Sequence, residues 1–347
     1  MSRKKIKIIG TDGQGWSIDS DRYFTEKAIK ELNYKTVKCF FNADIVYSVW
    51  YSYIFRLKLL PFRLFKGKRK FVATITNDIE DNNKNIDKYK KITDYWVCAN
   101  NKQKKYLLSQ NIRENQIFIN PFYVDENIFK TLSISKKEIT EKLKINHNLI
   151  KEKFLIGSFQ RDSRGDDLTK PKWHKNPELL IEILKNIDKN KFILLLAGPR
   201  RHFIVNECKK YNIPYIFIGN ENFINEMKDD VAINNLSKNR INLLYNLVDL
   251  YIVTSASEGG PKAIIEASLT KTAILSTPVG FAPEMLNSDF ICNNKDEFLI
   301  KIIKLTENES YRKKAVAENY EKVSTINNFD AYKQRLKKIF ETILNEN

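Results

Sequence analysis

Short apolar runs rich in Ile, Val, Leu and Phe alternate along the chain with stretches in which apolar residues recur every three or four positions. The short runs predict buried strands, and the periodic stretches predict helices. Strands that alternate with helices indicate an α/β fold, with parallel sheets covered by helices on both faces. Predicted strands lie at 5–9, 36–40, 45–49, 71–75, 93–99, 192–197, 215–218, 250–254, 273–276 and 290–292, and another opens at Phe154. Predicted helices lie at 20–33, 101–110, 179–187 and 204–211, with another from Pro261 and three closing runs through Leu305, Tyr320 and Ile343.

One polar and mostly charged stretch, 133–148, interrupts this alternation and has no sharp apolar period. A chain of 347 residues is long enough for two domains of ordinary size, each with its own core. We therefore predict a first domain over 1–150 and a second over 151–327.

The formal net charge of +17 favours an anionic partner such as nucleic acid, anionic lipid or a phosphorylated small substrate. Much of this excess accompanies a general bias toward Lys, Ile and Asn. Four scattered cysteines form no Cys-x-x-Cys pair, which favours reduced thiols over disulfides or a zinc site. No signal-peptide core opens the sequence, and no apolar run approaches the roughly 20 residues of a membrane span. We expect a cytoplasmic protein with no metal site.

Aromatic and basic residues mix over 50–70, and no acidic residue occurs between Asp44 and Asp78. Such a segment suits an interfacial helix on anionic lipid. A core-packed helix followed by a solvated basic loop explains the same pattern. Peripheral contact with the inner membrane face through 50–70 is thus one of two interpretations.

The stretch 255–283, directly after the predicted strand 250–254, carries the clearest chemical signals. Gly259 and Gly260 allow a tight turn, and Pro261 suits the first position of a new helix. The amides at this helix start, with the charge of Lys262, predict an anion site.

Two carboxylates bracket this helix start. Glu258 precedes it, and Glu266 lies roughly 8–9 Å further along the helix axis at about 1.5 Å per residue. That separation fits a nucleoside diphosphate sugar, with the diphosphate on the helix end, the ribose at Glu266 and the transferred sugar at Glu258. An ordinary helix start flanked by two solvated acids is the alternative.

Glu258 and Glu266 form an E-x7-E pattern in Glu-Gly-Gly-Pro-Lys-Ala-Ile-Ile-Glu-Ala, and Ser-Thr-Pro-Val-Gly-Phe-Ala-Pro-Glu follows at 276–284. This wording resembles the donor-site region of glycosyltransferase family 4 (glycosyl transferases group 1), which are retaining enzymes with the GT-B fold. The resemblance implies two Rossmann-like domains facing a cleft, the first on the acceptor side and the second on the nucleotide-sugar donor side. It also implies that the last helix, 328–347, crosses back to the first domain. It covers 154–325 strongly and 1–150 only loosely.

In this family a cation after the first strand of the second domain and a Lys at the next helix start neutralise the donor diphosphate. Arg161 and Lys175 match these positions, so that with Glu258 they are the expected catalytic residues. Two cations and a helix end can stabilise a departing nucleoside diphosphate without metal. The loop between them is long, so one of its other basic residues can take either role, and plain surface loop residues are the alternative. The further basic residues are Arg164, Lys170 and Lys172; the expected donor-binding positions are Gly157, Gly259, Gly260, Pro261, Lys262 and Glu266.

On the acceptor side the signals are weaker. Gly13 and Gly15 follow the first strand, but their spacing is not G-x-G-x-x-G, and a plain strand-to-helix loop explains them too. Many family members carry a histidine after the strand equivalent to 71–75, whereas no histidine precedes His147 here. Asp78, Asn77 or Thr76 can replace that histidine, or the leaving diphosphate can act as the base.

The resemblance thus implies a glycosyltransferase of hexosyltransferase type that moves a sugar from a nucleotide-sugar donor to a glycan or lipid-linked acceptor, in surface polysaccharide or glycoconjugate synthesis. Retention at the anomeric carbon is carried over from the family. The nucleotide sugar is a substrate, and no cofactor is expected. A sugar-nucleotide epimerase of GT-B fold is the second interpretation. A basic nucleic-acid-binding protein is the third interpretation, although the sequence contains no known nucleic-acid-binding module.

Overall fold

The computed structural model describes residues 3–13, 15, 17–56, 67–77 and 86–345. The chain divides into two compact units, one formed by Met1–Tyr123 with Thr325–Asn347 and the other by Val124–Ser324. Each unit contains one parallel sheet flanked by helices, so the α/β fold class is confirmed.

Six parallel strands form the sheet of the first unit. They are β1 (Lys5–Ile9), β2 (Lys35–Thr36), β3 (Ile45–Ser48), β4 (Lys70–Thr74), β5 (Tyr95–Cys98) and β6 (Ile117–Ile119). Their order is β2-β1-β3-β4-β5-β6, with Ile6 of β1 opposite Ile45 of β3. The central strands β3 and β5 are buried along their whole length, as expected where helices cover both faces.

The last helix of the chain belongs to this first unit. Its apolar residues recur at helical spacing and pack into a core with β1, β3 and the first helix, which makes the helix one wall of that core. These residues are Tyr332, Leu336, Ile339, Phe340 and Ile343. The helices of the first unit are Ser17–Glu31, Tyr51–Arg56, Ile86–Lys90, Asn101–Ser109 and Phe329–Asn345, with 3₁₀ turns at Phe40–Asn42 and Glu114–Gln116.

The second unit has five parallel strands, β7 (Phe154–Ser158), β8 (Phe192–Ala197), β9 (Tyr215–Ile218), β10 (Leu250–Val253) and β11 (Ala273–Ser276). Their order is β11-β10-β7-β8-β9. The chain therefore builds outward from β7 in one direction through β8 and β9, and returns to add β10 and β11 on the other side. β8, β10 and β11 are buried throughout.

Local sequence fixes several helix starts in this unit. Ser135 accepts the N–H of Glu138 while the Glu138 carboxylate accepts the N–H of Ser135, which is a complete capping box. Pro177 occupies the first turn of its helix, where no N–H is needed. The helices are Lys136–Leu143, His147–Ile150, Pro177–Leu184, His202–Tyr211, Asn222–Asn225, Val231–Asn234, Lys238–Leu247, Lys262–Leu269, Ala282–Met285, Lys295–Glu307 and Glu309–Ile326, with 3₁₀ turns at Trp173–Lys175 and Ser288–Phe290.

Two predicted strands differ most from the structure. The strand expected at 36–40 is reduced to Lys35–Thr36 because the chain turns into the 3₁₀ helix Phe40–Asn42. The segment 290–292 makes a single bridge, between Ser276 and Ile291, because the 3₁₀ turn Ser288–Phe290 occupies its approach to the sheet.

The division at Tyr123 also differs from the boundary expected at residue 150. Residues of the capped helix and of the segment after it pack into the second core beside β7 and β8, so 124–150 belongs with the second unit. These residues are Ile139, Leu143, Ile145 and Ile150. These apolar residues are widely spaced among polar surface residues, so the sequence pattern does not show that the segment is part of a core.

Candidate active site

The carboxyl ends of β7 and β10 form a topological switch point in the second sheet, because the chain leaves these neighbouring strands in opposite directions. In open α/β sheets, ligands bind in the crevice outside such an edge. The chain leaves β7 through Arg161 and leaves β10 through a loop that contains Glu258. The sequence-predicted donor residues therefore collect at the position where this fold binds ligands.

An ion pair connects the two loops at this edge. The Lys175 Nζ lies 2.7 Å from the Glu258 Oε2, and the side chains are 19% and 13% exposed. The other carboxylate oxygen of Glu258 accepts a hydrogen bond from the Ser255 hydroxyl. Both oxygens of Glu258 are thus held in the structure.

Backbone hydrogen bonds place Lys175. The carbonyl of His174 accepts the N–H groups of Ala256 and Ser257 at 3.0 and 3.2 Å, and the carbonyl of Lys175 accepts the Thr254 hydroxyl at 3.3 Å. The turn Trp173–Lys175 is therefore attached to the loop after β10 by three hydrogen bonds that do not involve the Lys175 ammonium.

The alternative cations in the long loop fall into two groups. Arg164 pairs with Asp166, and Lys170 pairs with Asp167 at 3.2 Å, and both basic side chains are about half exposed or more, at 47% and 63%. Lys172 is different, because it is half-buried beside the expected diphosphate cations. Burial lowers the pKa of Lys172 to about 8, with help from the charges of Arg161, Lys175 and Arg200. Of the three alternatives, only Lys172 lies with Arg161 and Lys175, and these three residues are called the cation cluster below.

His174 lies in the same positive environment. Burial, followed by the charges of Lys172 and Lys175, lowers the pKa of His174 to about 4. The imidazole is therefore neutral at physiological pH and adds no charge to the cluster.

The second carboxylate, Glu266, is held by a tyrosine. The Tyr245 hydroxyl donates to the Glu266 Oε2 at 2.9 Å. Burial raises the pKa of Glu266, although the Tyr245 hydrogen bond and the charge of Lys262 oppose that shift. Tyr245 is itself fully buried among the rings of Phe159 and Tyr251, so its hydroxyl is fixed in position. Sequence reasoning missed Tyr245, because nothing local to residue 245 indicates a contact 21 positions away.

The turn between Glu258 and the helix differs in detail from the expectation. Pro261 is the N-cap residue, with ψ at 104°, and the helix Lys262–Leu269 begins one residue later than predicted. A positive φ of 55° occurs at Gly280, where a Cβ would lie 2.9 Å from the Glu258 carbonyl oxygen and from Pro261 Cδ. Gly280 thus lets the loop after β11 support the Glu258 loop, and it is a second residue that sequence reasoning passed over.

Gly157, an expected donor-binding position, lies in the strand β7 itself. A Cβ there would come within 2.9 Å of the Phe159 ring and 3.2 Å of the Tyr251 ring. The missing side chain makes room for the aromatic cluster that holds Tyr245. Contact between Gly157 and a donor stays a prediction.

Arg201 and Asp162 form a buried ion pair, in which the Arg201 Nε lies 3.0 Å from the Asp162 Oδ2. Their side chains are 0% and 1% exposed. Arg201 also donates to the Ser158 hydroxyl at 3.0 Å. The pair thereby connects the carboxyl ends of β7 and β8, and no local sequence pattern indicates it.

In the first unit, the carboxylate of Asp19 holds the loop that contains Gly13 and Gly15. Asp19 accepts the hydroxyl of Thr11 and, at 3.0 and 2.9 Å, the amides of Asp12 and Gly15. Burial acts to raise the pKa of Asp19, but the hydrogen bonds outweigh it and lower that pKa to about 2. The loop that holds Gly13 and Gly15 is therefore shaped by an internal anion, and an acceptor role for these glycines stays a prediction.

Other expectations for the first unit are only partly covered. Asp78 lies outside the described residues, as does 57–66 of the aromatic and basic segment 50–70. Asn77 is described, and its carbonyl accepts the side-chain amide of Gln103 at 3.1 Å. Within the described ranges, no helix is long and apolar enough to cross a membrane. No cluster of three or more His, Cys, Asp or Glu residues that could hold a metal ion occurs in that same part of the chain.

A family model matches the part of the chain that carries these residues. The family model of glycosyl transferases group 1 matches residues 170–322. Protein CapJ of Staphylococcus aureus is 27% identical over 162 residues, which are 44% of this chain and 38% of CapJ. The matched stretch thus spans well under half the length of that relative.

Solved structures share the fold over nearly the whole chain. Anabaena Alr3699/HepE, in complex with UDP and glucose, has a TM-score of 0.72 at 13% identity and covers 98% of this chain and 100% of its own. Sucrose-phosphate synthase from Thermosynechococcus elongatus has a TM-score of 0.74 at 10% identity, with coverage of 99% and 100%. These likenesses show that the fold is GT-B. The part of the chain that matches the glycosyl transferases group 1 family model, residues 170–322, contains Lys175, Glu258 and Glu266.

Proposed function

We propose that the chain is a glycosyltransferase that moves a sugar from a nucleotide-sugar donor to a glycan or lipid-linked acceptor, in surface polysaccharide or glycoconjugate synthesis. The observation that carries the proposal is the Lys175–Glu258 ion pair at the switch point of the second sheet, with Glu266 on the helix that follows. The relative CapJ and the UDP-bound HepE structure support the same assignment.

The diphosphate of the donor binds the positive groups at this edge. Lys175 and Arg161 supply full charges, and the first amides of the helix Lys262–Leu269 supply the positive end of a helix dipole. Charge-assisted hydrogen bonds from these groups strengthen as the diphosphate leaves and gains negative charge. We propose that this positive charge serves the leaving group without a resident metal ion.

The two glutamates have different tasks. Glu266, oriented by Tyr245, accepts hydroxyl groups of the ribose and so positions the donor before and during transfer. Glu258 faces the transferred sugar, where positive charge develops on the ring. When the diphosphate pairs with Lys175, Glu258 loses its ion-pair partner and keeps the hydrogen bond from Ser255, so its Oε2 is available to the sugar.

We further propose the finer assignments that the resemblance implies. These are membership of family 4, transfer with retention at the anomeric carbon, and action in the cytoplasm with peripheral contact to anionic lipid through 50–70. Anomeric configuration of the product, read by NMR, tests retention. Flotation of the full chain with anionic vesicles, with and without neutralised Lys66, Lys68, Arg69 and Lys70, tests lipid contact.

The deciding experiment is a screen of nucleotide sugars with the full chain, in which release of nucleoside diphosphate and transfer to added glycan or lipid-linked acceptors are both measured. We expect release with one donor class, and loss of that release in Glu258→Gln. Conversion of the donor to its epimer, without acceptor-dependent release, would instead establish the epimerase. Absence of both activities and of nucleotide binding would refute the proposal.

A further inference from the structure

Lys172 differs in its ion pairing from two of the cations beside it. Lys175 pairs with Glu258, and Arg200 pairs with Asp229 at 2.7 Å. Lys172 makes no comparable ion pair within the described residues, and its side chain is half-buried. An ammonium in such a place is unfavourable unless an anion joins it.

The backbone holds Lys172 in this unfavourable place. Its N–H donates to the Asp162 carbonyl at 2.6 Å, and Ser163 and Pro171 form a bridge that closes the intervening loop. The Asp162 carboxylate lies in the buried pair with Arg201, which fixes the start of the loop. These contacts fix the position of the Lys172 backbone.

The charges around Lys172 are of one sign with a single exception. Arg161, Lys175 and Arg200 act on it as cations from three separate segments, and Glu258 is the carboxylate that opposes them. Glu258 is already shared with Lys175. A cluster of this composition has an excess of positive charge that a diphosphate neutralises.

We propose that Lys172 is a third diphosphate-binding cation of the donor site, and that it takes up a proton from solvent when the donor binds and returns it when the nucleoside diphosphate leaves. The proposal rests on the function proposed above. In the free protein, burial and then the charges of the neighbouring cations lower the pKa of Lys172 to about 8. With the diphosphate bound, the neighbouring negative charge favours the ammonium and raises its pKa toward the ordinary range. His174 is neutral throughout this interval, so it does not contribute to the proton exchange.

The test measures binding of UDP, GDP and ADP to the full chain by calorimetry, and then follows the tightest ligand from pH 7 to pH 9. We expect affinity in the parent protein to fall about tenfold over this interval, since binding requires protonation of a group with a pKa near 8. In buffers of different ionisation enthalpy at pH 8, the parent should take up a fraction of a proton per ligand.

Three variants test whether Lys172 is the group that takes up the proton. Lys172→Arg, which stays charged, should bind tightly with no pH dependence in this range. Lys172→Met should bind about ten- to a hundredfold more weakly at pH 7, the effect of losing one charged hydrogen bond, and should also lose the pH dependence. Lys170→Met removes an exposed lysine of the same loop and should behave as the parent does.

The outcomes separate the two proposals. If the parent binds a nucleoside diphosphate but Lys172→Met keeps its affinity or its pH profile, the role of Lys172 is refuted and the proposed function stands. If the parent binds none of the three ligands, the role of Lys172 is refuted, and the screen of nucleotide sugars decides the proposed function separately. Circular dichroism of each variant confirms that it folds, and Lys172→Arg keeps the test decisive should Lys172→Met fail to fold.

Discussion

Replacement of Tyr245 by Phe removes one hydroxyl and leaves the buried aromatic cluster in place. That hydroxyl is the hydrogen-bond partner of the Glu266 carboxylate within the described part of the chain, at 2.9 Å. Without it, Glu266 regains rotamer freedom that is worth up to about 1.5–2 kcal/mol for a long side chain. We expect about 1–1.5 kcal/mol of this to appear in donor binding, which is roughly a five- to tenfold rise in the donor KM.

The kcat of Tyr245→Phe should stay close to the parent value. The ribose contact of Glu266 exists before transfer and in the transition state, so its loss weakens uniform binding and leaves the chemical step unchanged. Steady-state release of nucleoside diphosphate against donor concentration measures both constants. Tyr215→Phe is the matched control, because Tyr215 also donates to a glutamate, Glu221, at 2.7 Å, but lies at the start of β9 away from the carboxyl edge.

Acid pH adds a second measurement on the same variant. Burial raises the pKa of Glu266 above its ordinary value, so its carboxylate is lost at a higher pH than that of an exposed glutamate. The donor KM of the parent should therefore rise as the pH falls through this raised pKa. In Tyr245→Phe a hydrogen bond that favours the carboxylate is gone, so the rise should begin at still higher pH. An unchanged KM in Tyr245→Phe, or a fall in kcat at constant KM, would refute the assignment of Glu266 to the ribose.

Three further outcomes follow from the same geometry. Glu258→Gln should lower kcat while donor affinity stays closer to normal, and equal kcat values in a rapid-quench comparison with the parent would contradict its place by the reacting sugar. Arg161→Ala and Lys175→Ala should each weaken nucleoside diphosphate binding by about 1.5–3 kcal/mol and nucleoside binding much less, as calorimetry can show; equal losses for both ligands would count against a diphosphate contact. Arg201→Leu should destabilise the protein by about 3–5 kcal/mol in urea unfolding because it strands the buried Asp162 carboxylate, and Arg201→Met with Asp162→Asn should recover most of that loss; a single substitution as stable as the parent would argue against the pair.

Much of the fold was predictable from local patterns. Runs such as 192–197 and 250–254 are apolar because their strands are covered on both faces, and the structure buries them. The strands predicted at 36–40 and 290–292 were too long, because 3₁₀ turns at Phe40–Asn42 and Ser288–Phe290 leave only short contacts with the sheet. Edge segments of this kind are decided by tertiary contacts more than by composition.

The candidate site was predictable where its residues are close together in sequence. Glu258 and Glu266 were identified because their spacing is a property of one turn and one helix. Tyr245 and Gly280 were missed because their contacts with that element cross from other loops and helices. Residue type alone does not predict such contacts, because buried tyrosines and loop glycines occur at many positions for reasons of packing and backbone conformation.

The basic loop shows why sequence left the diphosphate cations ambiguous. Arg164, Lys170 and Lys172 all carry a positive charge in the same loop. Their order along the chain does not indicate which of them contacts the diphosphate. The structure separates them through backbone hydrogen bonds, which attach Lys172 to the Asp162 carbonyl and leave Arg164 and Lys170 with acids of their own loop. Backbone contacts of this kind hold cations together in the absence of an anion, so the repulsion is already present when the donor arrives. The arrangement therefore favours binding of a highly charged diphosphate over a neutral sugar.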